Sequence, residues 1–317
     1  MSVSSPENIF RQFGVTQDLL GRNGVDLAAG HEQGRAKRAR ILQSLKRIAP
    51  RPCGVELVRI GPADDGGYLV PDDLDGIEAC FSPGCDNFKD FEDQLVRDHG
   101  IKTFICDNSS DIGSFRTPLI EGMQSFEKKW LDVAPAEDAI VLDDWVRENT
   151  APDTDLILQM DIEGAEYRNL MNASPETLRR FRIIVIEIHC LHLLPDFAFL
   201  DAVFDPAMAK LEQDFTCVHI HPNNFRTEEM IVSNLLISRV MELTFLRKDR
   251  VREAQLPLVL PHPLDRVNVP DYPPVALAPV FLAHADRDAS HVQRLRHEIA
   301  WHHARLHELE AQLAALD

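Results

Sequence analysis

The sequence predicts an α/β fold built on a parallel sheet, and three features of its pattern indicate this. Apolar runs alternate with helical segments from about residue 76 onwards. Several runs are continuously apolar, which is typical of strands buried on both faces. Turn residues separate these runs from the helices that follow. Strands that alternate with helices pair in parallel, so we expect helices on both faces of the sheet.

The predicted elements follow in order along the chain. VELVRI, from Val55, and a short strand ending at Val70 form a hairpin whose turn contains ADDGG. The predicted sheet strands are IEACFS, KTFICD, DLILQMD, RIIVIEIH, TCVHIH and NLLISRVMELTFL. The predicted helices lie in AKRARILQSLKRIA, FKDFEDQLVRDHG, DDWVREN and SPETLRRF, the last with Ser174 as N-cap and Pro175 in its first turn. The last two strands lack a helix between them, which indicates antiparallel strands at the sheet edge.

Composition divides the chain into four segments. Residues 1–54 are predicted to be a helical extension, and residues 55–251 carry the sheet pattern. Residues 252–285 are too rich in proline for a regular helix and form either a linker or an extended strap. Residues 286–317 are predicted to be a helix with a heptad seam that supports a coiled coil and a homo-oligomer. The seam comprises Val292, Leu295, Ile299, His302, Leu306, Leu309 and Leu313. It covers about three heptads, which is short for a stable coil, so we expect Asp317 to be a cut through a longer one.

Charge and composition exclude several function classes. The net charge of −18 disfavours binding to nucleic acid or to anionic membranes, since both need positive surface. The start of the sequence lacks a secretory signal, and no apolar run is long enough to cross a membrane. The six cysteines are scattered without CxxC spacing, which indicates reduced thiols. We therefore expect a cytoplasmic protein, with any membrane contact peripheral, at the inner face and through partners.

The first two sheet strands end in residues that suit a nucleoside ligand. Gly84 follows the first strand, and Asp107 ends the second at a spacing that fits one βαβ step. An acidic residue at that position accepts hydrogen bonds from ribose hydroxyls. The chain lacks GxGxxG, which disfavours NAD. A single glycine with a downstream acid is more typical of enzymes that use S-adenosylmethionine, and we assign Asn108 to the same cofactor site.

Acidic and histidine residues follow the later strands. In open parallel sheets, ligands bind at the carboxyl ends of the strands. Each of these residues also has a structural interpretation. Asp161 alone could cap the helix that follows it, and a single histidine is more often structural than functional. Two roles stay open, a divalent cation such as Mg²⁺ or Mn²⁺ and a general base. The candidate metal ligands are Asp161, Glu163, Glu187, His189 and His219. The candidate bases are Asp161, His189 and His221.

Several motifs together resemble the FkbM-type S-adenosylmethionine-dependent methyltransferases over roughly residues 55 to 270. They are DDGGYLV, FSPGCDNFKDFEDQL, AIVLDDWV, MDIEGAEYRNL, IVIEIH and HPNNF. The resemblance implies a Rossmann-like class I methyltransferase sheet and methyl transfer to an oxygen, often on a sugar. It also implies that Asp161 lies beside the methyl group of the cofactor, S-adenosylmethionine. The expected cofactor contacts are Gly84, Asp107, Asn108 and Asp161.

The expected acceptor is a sugar hydroxyl on a polysaccharide or glycoconjugate. Asn223 and Asn224 carry amides that suit sugar hydroxyls, although Asn-Asn is also ordinary turn chemistry, and Tyr68 is assigned to the same substrate site. Two alternatives remain at this stage. The first is a metal-dependent glycosyltransferase that uses Asp161 and Glu163 as its acidic metal motif. The second is a non-catalytic methyltransferase-like head on a coiled coil.

Overall fold

The computed structural model describes residues 37–225, 230–232, 235–253 and 256–314, with backbone alone for residues 230–232, 235 and 236. The predicted extension is therefore described from residue 37 on, and the end of the predicted tail helix lies outside the described residues. The strands are β1 (Leu57–Ile60), β2 (Tyr68–Pro71), β3 (Ile77–Pro83), β4 (Lys102–Cys106), β5 (Gln124–Glu127), β6 (Trp130–Leu131), β7 (Ala139–Ile140), β8 (Asp155–Met160), β9 (Phe181–Ile188), β10 (Phe215–Pro222), β11 (Met230–Val232), β12 (Leu235–Ile237) and β13 (Met241–Arg247). The helices are α1 (residues 37–45), α2 (Asp90–His99), α3 (Leu142–Asn149), α4 (Glu166–Asn172), α5 (Pro175–Arg180), α6 (Asp205–Asp214) and α7 (Arg287–Ala314).

A seven-stranded sheet forms the centre of the molecule, in the order β10-β13-β9-β8-β3-β4-β5. Strands β5, β4, β3, β8 and β9 are parallel, and β13 pairs antiparallel with both β9 and β10. This mostly parallel sheet with helices is consistent with the predicted methyltransferase fold. The prediction of two antiparallel edge strands is wrong in part, because β13 lies inside the sheet. Edge strand β10 follows helix α6 and runs parallel to β9, as a βαβ crossover requires.

The sheet is buried on both faces because successive residues of its central strands are apolar. In β8, Leu156 and Leu158 pack into the core on one face, and Ile157 packs into the core on the other. Helices α1, α3, α4, α5 and α6 contribute to the first core, whereas α2 and the β1–β2 hairpin contribute to the second. The expectation of helices on both faces is confirmed, and the predicted hairpin packs on the sheet as part of one cover.

The proline-rich segment, called the strap from here on, contacts the domain through its described residues, which favours the strap over the linker alternative. Asn224 donates to the backbone oxygens of Val269 and Tyr272, and Asp265 lies 2.9 Å from the His219 ring. The strap also holds the tail helix, since the Trp301 indole donates to a strap carbonyl. These contacts cover one end of β10 and β13 with the strap.

Helix α7 forms at the predicted place and leaves its heptad seam exposed. Trp301 and Arg305 contact the strap. The apolar seam residues are 40–64% exposed, namely Val292, Leu295, Ile299, Leu306, Leu309 and Leu313. The helix is therefore tethered by another face, and the coiled coil stays a prediction. Among the helices of the described ranges, none is long and apolar enough to cross a bilayer.

Candidate functional site

A cleft of about 560 Å³ opens at the carboxyl ends of β3, β4 and β8. It is where parallel strands place their ligands, because the loops that follow the strands meet at this edge. Its lining includes five residues predicted from the sequence, namely Tyr68, Gly84, Asp107, Asp161 and Glu163. Phe88, Trp130 and Leu131 add apolar wall. The cleft therefore combines apolar surface with acidic groups, the composition typical of a small-molecule site.

Gly84 is required by the packing of two strand-end loops against each other. Its φ is +85°, and a Cβ there would lie 1.7 Å from the backbone oxygen of Asp161. The loops are also joined by a hydrogen bond from the Asp161 amide to the Pro83 carbonyl at 3.2 Å. Gly84 therefore allows the two loop backbones to approach closely, and this contact positions the loop that carries Asp161.

The carboxylate of Asp107 is fully engaged inside the protein. One oxygen accepts from the backbone amides of Cys85 and Asp86, and the other accepts from the amide and hydroxyl of Ser109. Burial alone would raise the pKa of Asp107, but hydrogen bonds from Ser109, Cys85 and Ser110 outweigh burial and lower it. Asp107 thus organises the Gly84 loop, and direct ribose binding stays a prediction.

Left-handed backbone marks the same edge of the sheet. Within the described ranges, the non-glycine residues with positive φ are Asp86, Asn87, Glu163 and Cys190. They lie in the loops that follow β3, β8 and β9. Such conformations cost about 1–3 kcal/mol each and cluster at functional sites. The strain therefore supports this edge as the functional one.

An open acid–histidine group, defined here as Asp161, Glu163, Glu166 and His189, lies where β8 and β9 end. The Nε2 atom of His189 is 3.8 Å from Asp161 Oδ1 and 3.5 Å from Glu163 Oε2. On the other side of the ring, Nδ1 lies 3.1 Å from Glu166 Oε1. The Glu163 side chain is 88% exposed, whereas that of Glu166 is fully buried. The group therefore combines a buried orienting carboxylate with solvent access.

The charges of this group act on one another. Burial alone would lower the pKa of His189, but its hydrogen bond to Glu166 and that charge outweigh burial and raise the pKa. Burial and then the charge of Glu187 raise the pKa of Asp161 well above its usual range. Asp161 Oδ1 is buried and has no hydrogen-bond partner among the described residues. An unpaired acceptor beside a basic histidine is an arrangement that can receive a proton or a hydroxyl group.

A covered acid group, defined as Asp65, Glu187 and Glu242, combines two nearly buried residues of the neighbouring strands β9 and β13 with the exposed Asp65 of the loop between β1 and β2. Glu187 and Glu242 face each other in the β9–β13 register, and each is nearly buried. One oxygen from each of the three carboxylates lies within 4.8 Å of the others. Burial and then Glu242 raise the pKa of Glu187 well above its usual range. Glu187 thus interacts electrostatically with Asp161 but groups with Asp65 and Glu242, two acids that the sequence did not single out.

Two predicted histidines lie under the strap instead of at the cleft. His219 Nε2 is 2.9 Å from Asp265 Oδ1, and His221 Nδ1 is 3.7 Å from the other oxygen of Asp265. His221 and Asn224 line a second cavity of about 420 Å³, between the strap and α7. Of the five predicted metal ligands, Asp161, Glu163 and His189 are brought within 4.8 Å of one another. The structure does not bring His219 to them.

The predicted substrate and cofactor amides differ in their contacts. Asn223 donates to Glu187 Oε1 at 2.7 Å, so it lies next to the covered acid group. Asn224 is 1% exposed, with its oxygen and its nitrogen both bonded to the strap backbone. Asn108 is partly buried and makes no side-chain hydrogen bond with the described part of the chain. Asn224 therefore acts as a structural clamp, while the substrate and cofactor roles of the three amides stay predictions.

Sequence reasoning missed a buried polar chain in the cleft floor. The Ser82 hydroxyl bonds to Glu92 and, at 2.7 Å, to Gln159 Oε1; the Gln159 amide reaches the Tyr68 hydroxyl at 3.4 Å. Burial raises the pKa of Glu92 to about 7, against the opposing hydrogen bond from Ser82. Glu166 was also missed, although it lies in the quoted DIEGAE motif. Glu166 lies four residues after Ile162, at the start of α4, and this spacing is the only sequence signal that its side chain could accept a hydrogen bond from the Ile162 amide at the end of β8.

Comparison with known proteins supports the resemblance found in the sequence. The family model for the methyltransferase FkbM domain matches residues 78–216. The matched segment contains Gly84, Asp107 and the open acid–histidine group. No curated protein matches the chain.

Proposed function

We propose, from the match of residues 78–216 to the family model for the methyltransferase FkbM domain, that this chain is an S-adenosylmethionine-dependent O-methyltransferase that acts on a sugar hydroxyl. The open acid–histidine group beside the cleft is the observation that carries the proposal. The family match supports methyl transfer in general and S-adenosylmethionine as donor, and it gives no support for a metal. The oxygen acceptor and the sugar rest on the chemistry of the cleft and on the resemblance.

The residues present fit a sulfonium cofactor. Asp161 lines the cleft with an unpaired buried oxygen, and acidic groups complement a positively charged ligand. Phe88 and Trp130 offer apolar faces for a heterocycle. The Gly84 loop, held by Asp107, and Asn108 next to it would contact the cofactor. When bound, S-adenosylmethionine supplies an activated methyl group, so the protein needs to align the acceptor oxygen and remove its proton.

His189 is the residue best placed to take that proton. Glu166 Oε1 accepts hydrogen bonds from the Ile162 and Gly164 amides at 3.0 Å and approaches His189 Nδ1 at 3.1 Å. A carboxylate at Nδ1 keeps the hydrogen there and leaves Nε2 as the acceptor. The acceptor hydroxyl would give its proton to Nε2 as its oxygen takes the methyl group. His221 lies under the strap, so its contacts favour it less as the base.

The acceptor side of the proposal places a sugar next to Tyr68 and Asn223, on a polysaccharide or glycoconjugate made in the cytoplasm or at the inner face of a membrane. Tyr68 lines the cleft, and Asn223 contacts Glu187. Isothermal calorimetry with S-adenosylhomocysteine and, in parallel, with UDP and Mn²⁺ tests the donor. Binding of S-adenosylhomocysteine alone supports the proposal. Binding of UDP alone would replace it with the glycosyltransferase alternative, and binding of neither would leave the non-catalytic head.

We also propose that α7 joins copies of this chain through its exposed seam. The apolar seam residues are 40–64% exposed in the described structure, and three-four spacing suits knobs-into-holes packing. Light scattering on the full chain and on a chain ending at residue 285 checks this, with a larger particle expected for the full chain alone. The control is Glu308→Gln, at an exposed position outside the seam, and this variant of the full chain should form the same larger particle as the unchanged chain. A monomeric full chain at micromolar concentration would contradict the proposal.

A further inference from the structure

We propose that the covered acid group, Asp65, Glu187 and Glu242, binds a divalent cation of the oxygen-seeking class, such as Mn²⁺, Ca²⁺ or Mg²⁺. This site differs from the metal set predicted from the sequence, with which it shares only Glu187. Cation binding here does not depend on methyl transfer, so its test stands apart from that of the proposed function.

The geometry of the three carboxylates suits one ion. Their ligand oxygens lie within 4.8 Å of one another. Two oxygens on opposite sides of one such ion, at about 2.1–2.6 Å from it, are about 4.2–5.2 Å apart. Glu187 and Glu242 are held by the sheet, because they are register partners in β9 and β13. Asp65 comes from the loop between β1 and β2 and reaches the pair from the cleft side, since it also lines the cleft.

Asn268 of the strap supplies an observation independent of the acids. Its side-chain nitrogen donates to Asp65 Oδ1 at 2.9 Å and to Glu242 Oε1 at 2.5 Å. The residue is 5% exposed, and its Oδ1 atom is buried without a hydrogen-bond partner among the described residues. A buried amide oxygen normally finds a partner. It is also a preferred ligand of hard cations, and a half-turn of the amide would present it to the acids.

His221 provides a second buried group without a hydrogen bond at the same place. It is the register partner of Glu242 in β10, so the two side chains lie on the same face of the sheet. His221 is 6% exposed, and neither ring nitrogen makes a hydrogen bond in the described structure, although Asp265 lies 3.7 Å from Nδ1. An imidazole next to an acid cluster can serve as a nitrogen ligand for Mn²⁺ or hold a water bound to the ion.

The buried carboxyl groups of Glu187 and Glu242 must either hold a proton or lie next to a cation. No Lys or Arg of the described residues forms an ion pair with Glu187 or Glu242. The guanidinium of Arg59 is near enough to interact with Glu242, but its hydrogen bonds go to the backbone oxygens of Pro62 and Asp64. Buried carboxylates are normally paired or bound to a metal. A divalent cation would neutralise the group without moving the sheet.

The test is titration of the chelator-treated full chain with Mn²⁺, followed by electron paramagnetic resonance and calorimetry. We expect one Mn²⁺ per chain, with Kd at or below the range of weak calcium sites, about 10⁻⁴–10⁻³ M. Glu242→Gln and Asp65→Asn should each weaken binding by at least about tenfold. Two matched controls, Glu163→Gln in the open acid–histidine group and Glu137→Gln on the exposed surface, should bind Mn²⁺ like the unchanged chain.

Thermal unfolding keeps the test decisive if a variant is unstable. Mn²⁺ should raise the Tm of the unchanged chain and of Glu163→Gln, and at the same Mn²⁺ concentration it should raise the Tm of Asp65→Asn clearly less. Asp65 is on the exposed side of the group, so its variant is expected to fold. Absence of Mn²⁺ and Ca²⁺ binding to the unchanged chain would overturn the proposal. Loss of binding in Glu163→Gln with retention in Glu242→Gln would overturn it as well, since the ion would then belong to the open group.

Discussion

The open acid–histidine group and the covered acid group lie at neighbouring strand ends, yet water reaches them differently. The side chain of Glu163 is 88% exposed, whereas Glu187 and Glu242 are 4% and 6% exposed. In the open group, water and the His189 ring both interact with the carboxylates of Asp161 and Glu163, so protons can move to and from a ligand. In the covered group Asp65 is exposed, but the carboxyl groups of Glu187 and Glu242 are shielded from water and depend on a proton, a buried donor or a cation. Solvent access, more than residue type, thus distinguishes the group for which we propose proton transfer from the group for which we propose cation binding.

The largest effect should come from removing the base of the open group. We expect His189→Ala to lower methyl transfer by about 10²–10⁴-fold, the usual range for a general base, with binding of S-adenosylhomocysteine retained. Initial rates and calorimetry measure the two quantities. His99→Ala, at an exposed histidine that ends α2, is the control. Unchanged turnover in His189→Ala would remove the functional contrast between the two groups.

The strap that closes the covered side should be the most sensitive structural element. Asn224→Ala removes bonds to Val269 and Tyr272 and leaves buried backbone groups unpaired. We expect a loss of about 2–4 kcal/mol in the free energy of unfolding. Urea unfolding measures it, with exposed Asn172→Ala as the matched control. A loss as small as that of the control would mean that the strap is held elsewhere.

Glu92 tests whether burial also raises the pKa of an acid in the floor of the open cleft. Its folded pKa of about 7 is above its ordinary value of 4.5, so the folded state holds a proton that the unfolded state releases between these values. Its contribution to stability is therefore present at low pH and is lost as pH rises through that window. Between pH 5 and 8 the unchanged chain should lose about 2–3 kcal/mol more than Glu92→Gln. Equal losses in urea unfolding would contradict the raised pKa.

The smallest effect concerns the Gly84 loop, which we propose contacts the cofactor. Asp107→Ala removes the acceptor for the Cys85 and Ser109 amides, so the Gly84 loop should lose its position. Affinity for S-adenosylhomocysteine should fall by about 1–3 kcal/mol. Calorimetry measures it, and Asp111→Ala, at an exposed acid nearby, is the control. An unchanged affinity would show that Asp107 neither contacts the ribose nor positions the Gly84 loop.

Much of the sheet could be predicted because its signals are local. The RIIVIEIH run became β9, and the N-cap of α5 formed as expected, since the Ser174 hydroxyl accepts from the Thr177 amide at 3.1 Å. The position of β13 between β9 and β10 could not be predicted in this way. An inserted antiparallel strand depends on which edge is free after α6 has packed, and this is a property of the whole sheet.

The sequence by itself determined the α/β class, the FkbM resemblance and the strand ends that carry acids, because hydrophobic period and turn chemistry act over a few residues. Only the tertiary structure decided which acids meet. Glu187 and His189 are two residues apart, yet one joins Glu242 under the strap and the other joins Asp161 at the cleft. Partners such as Asp65 and Asn268 lie about 200 residues apart. No local pattern encodes such contacts, since they depend on how the hairpin and the strap close over the sheet.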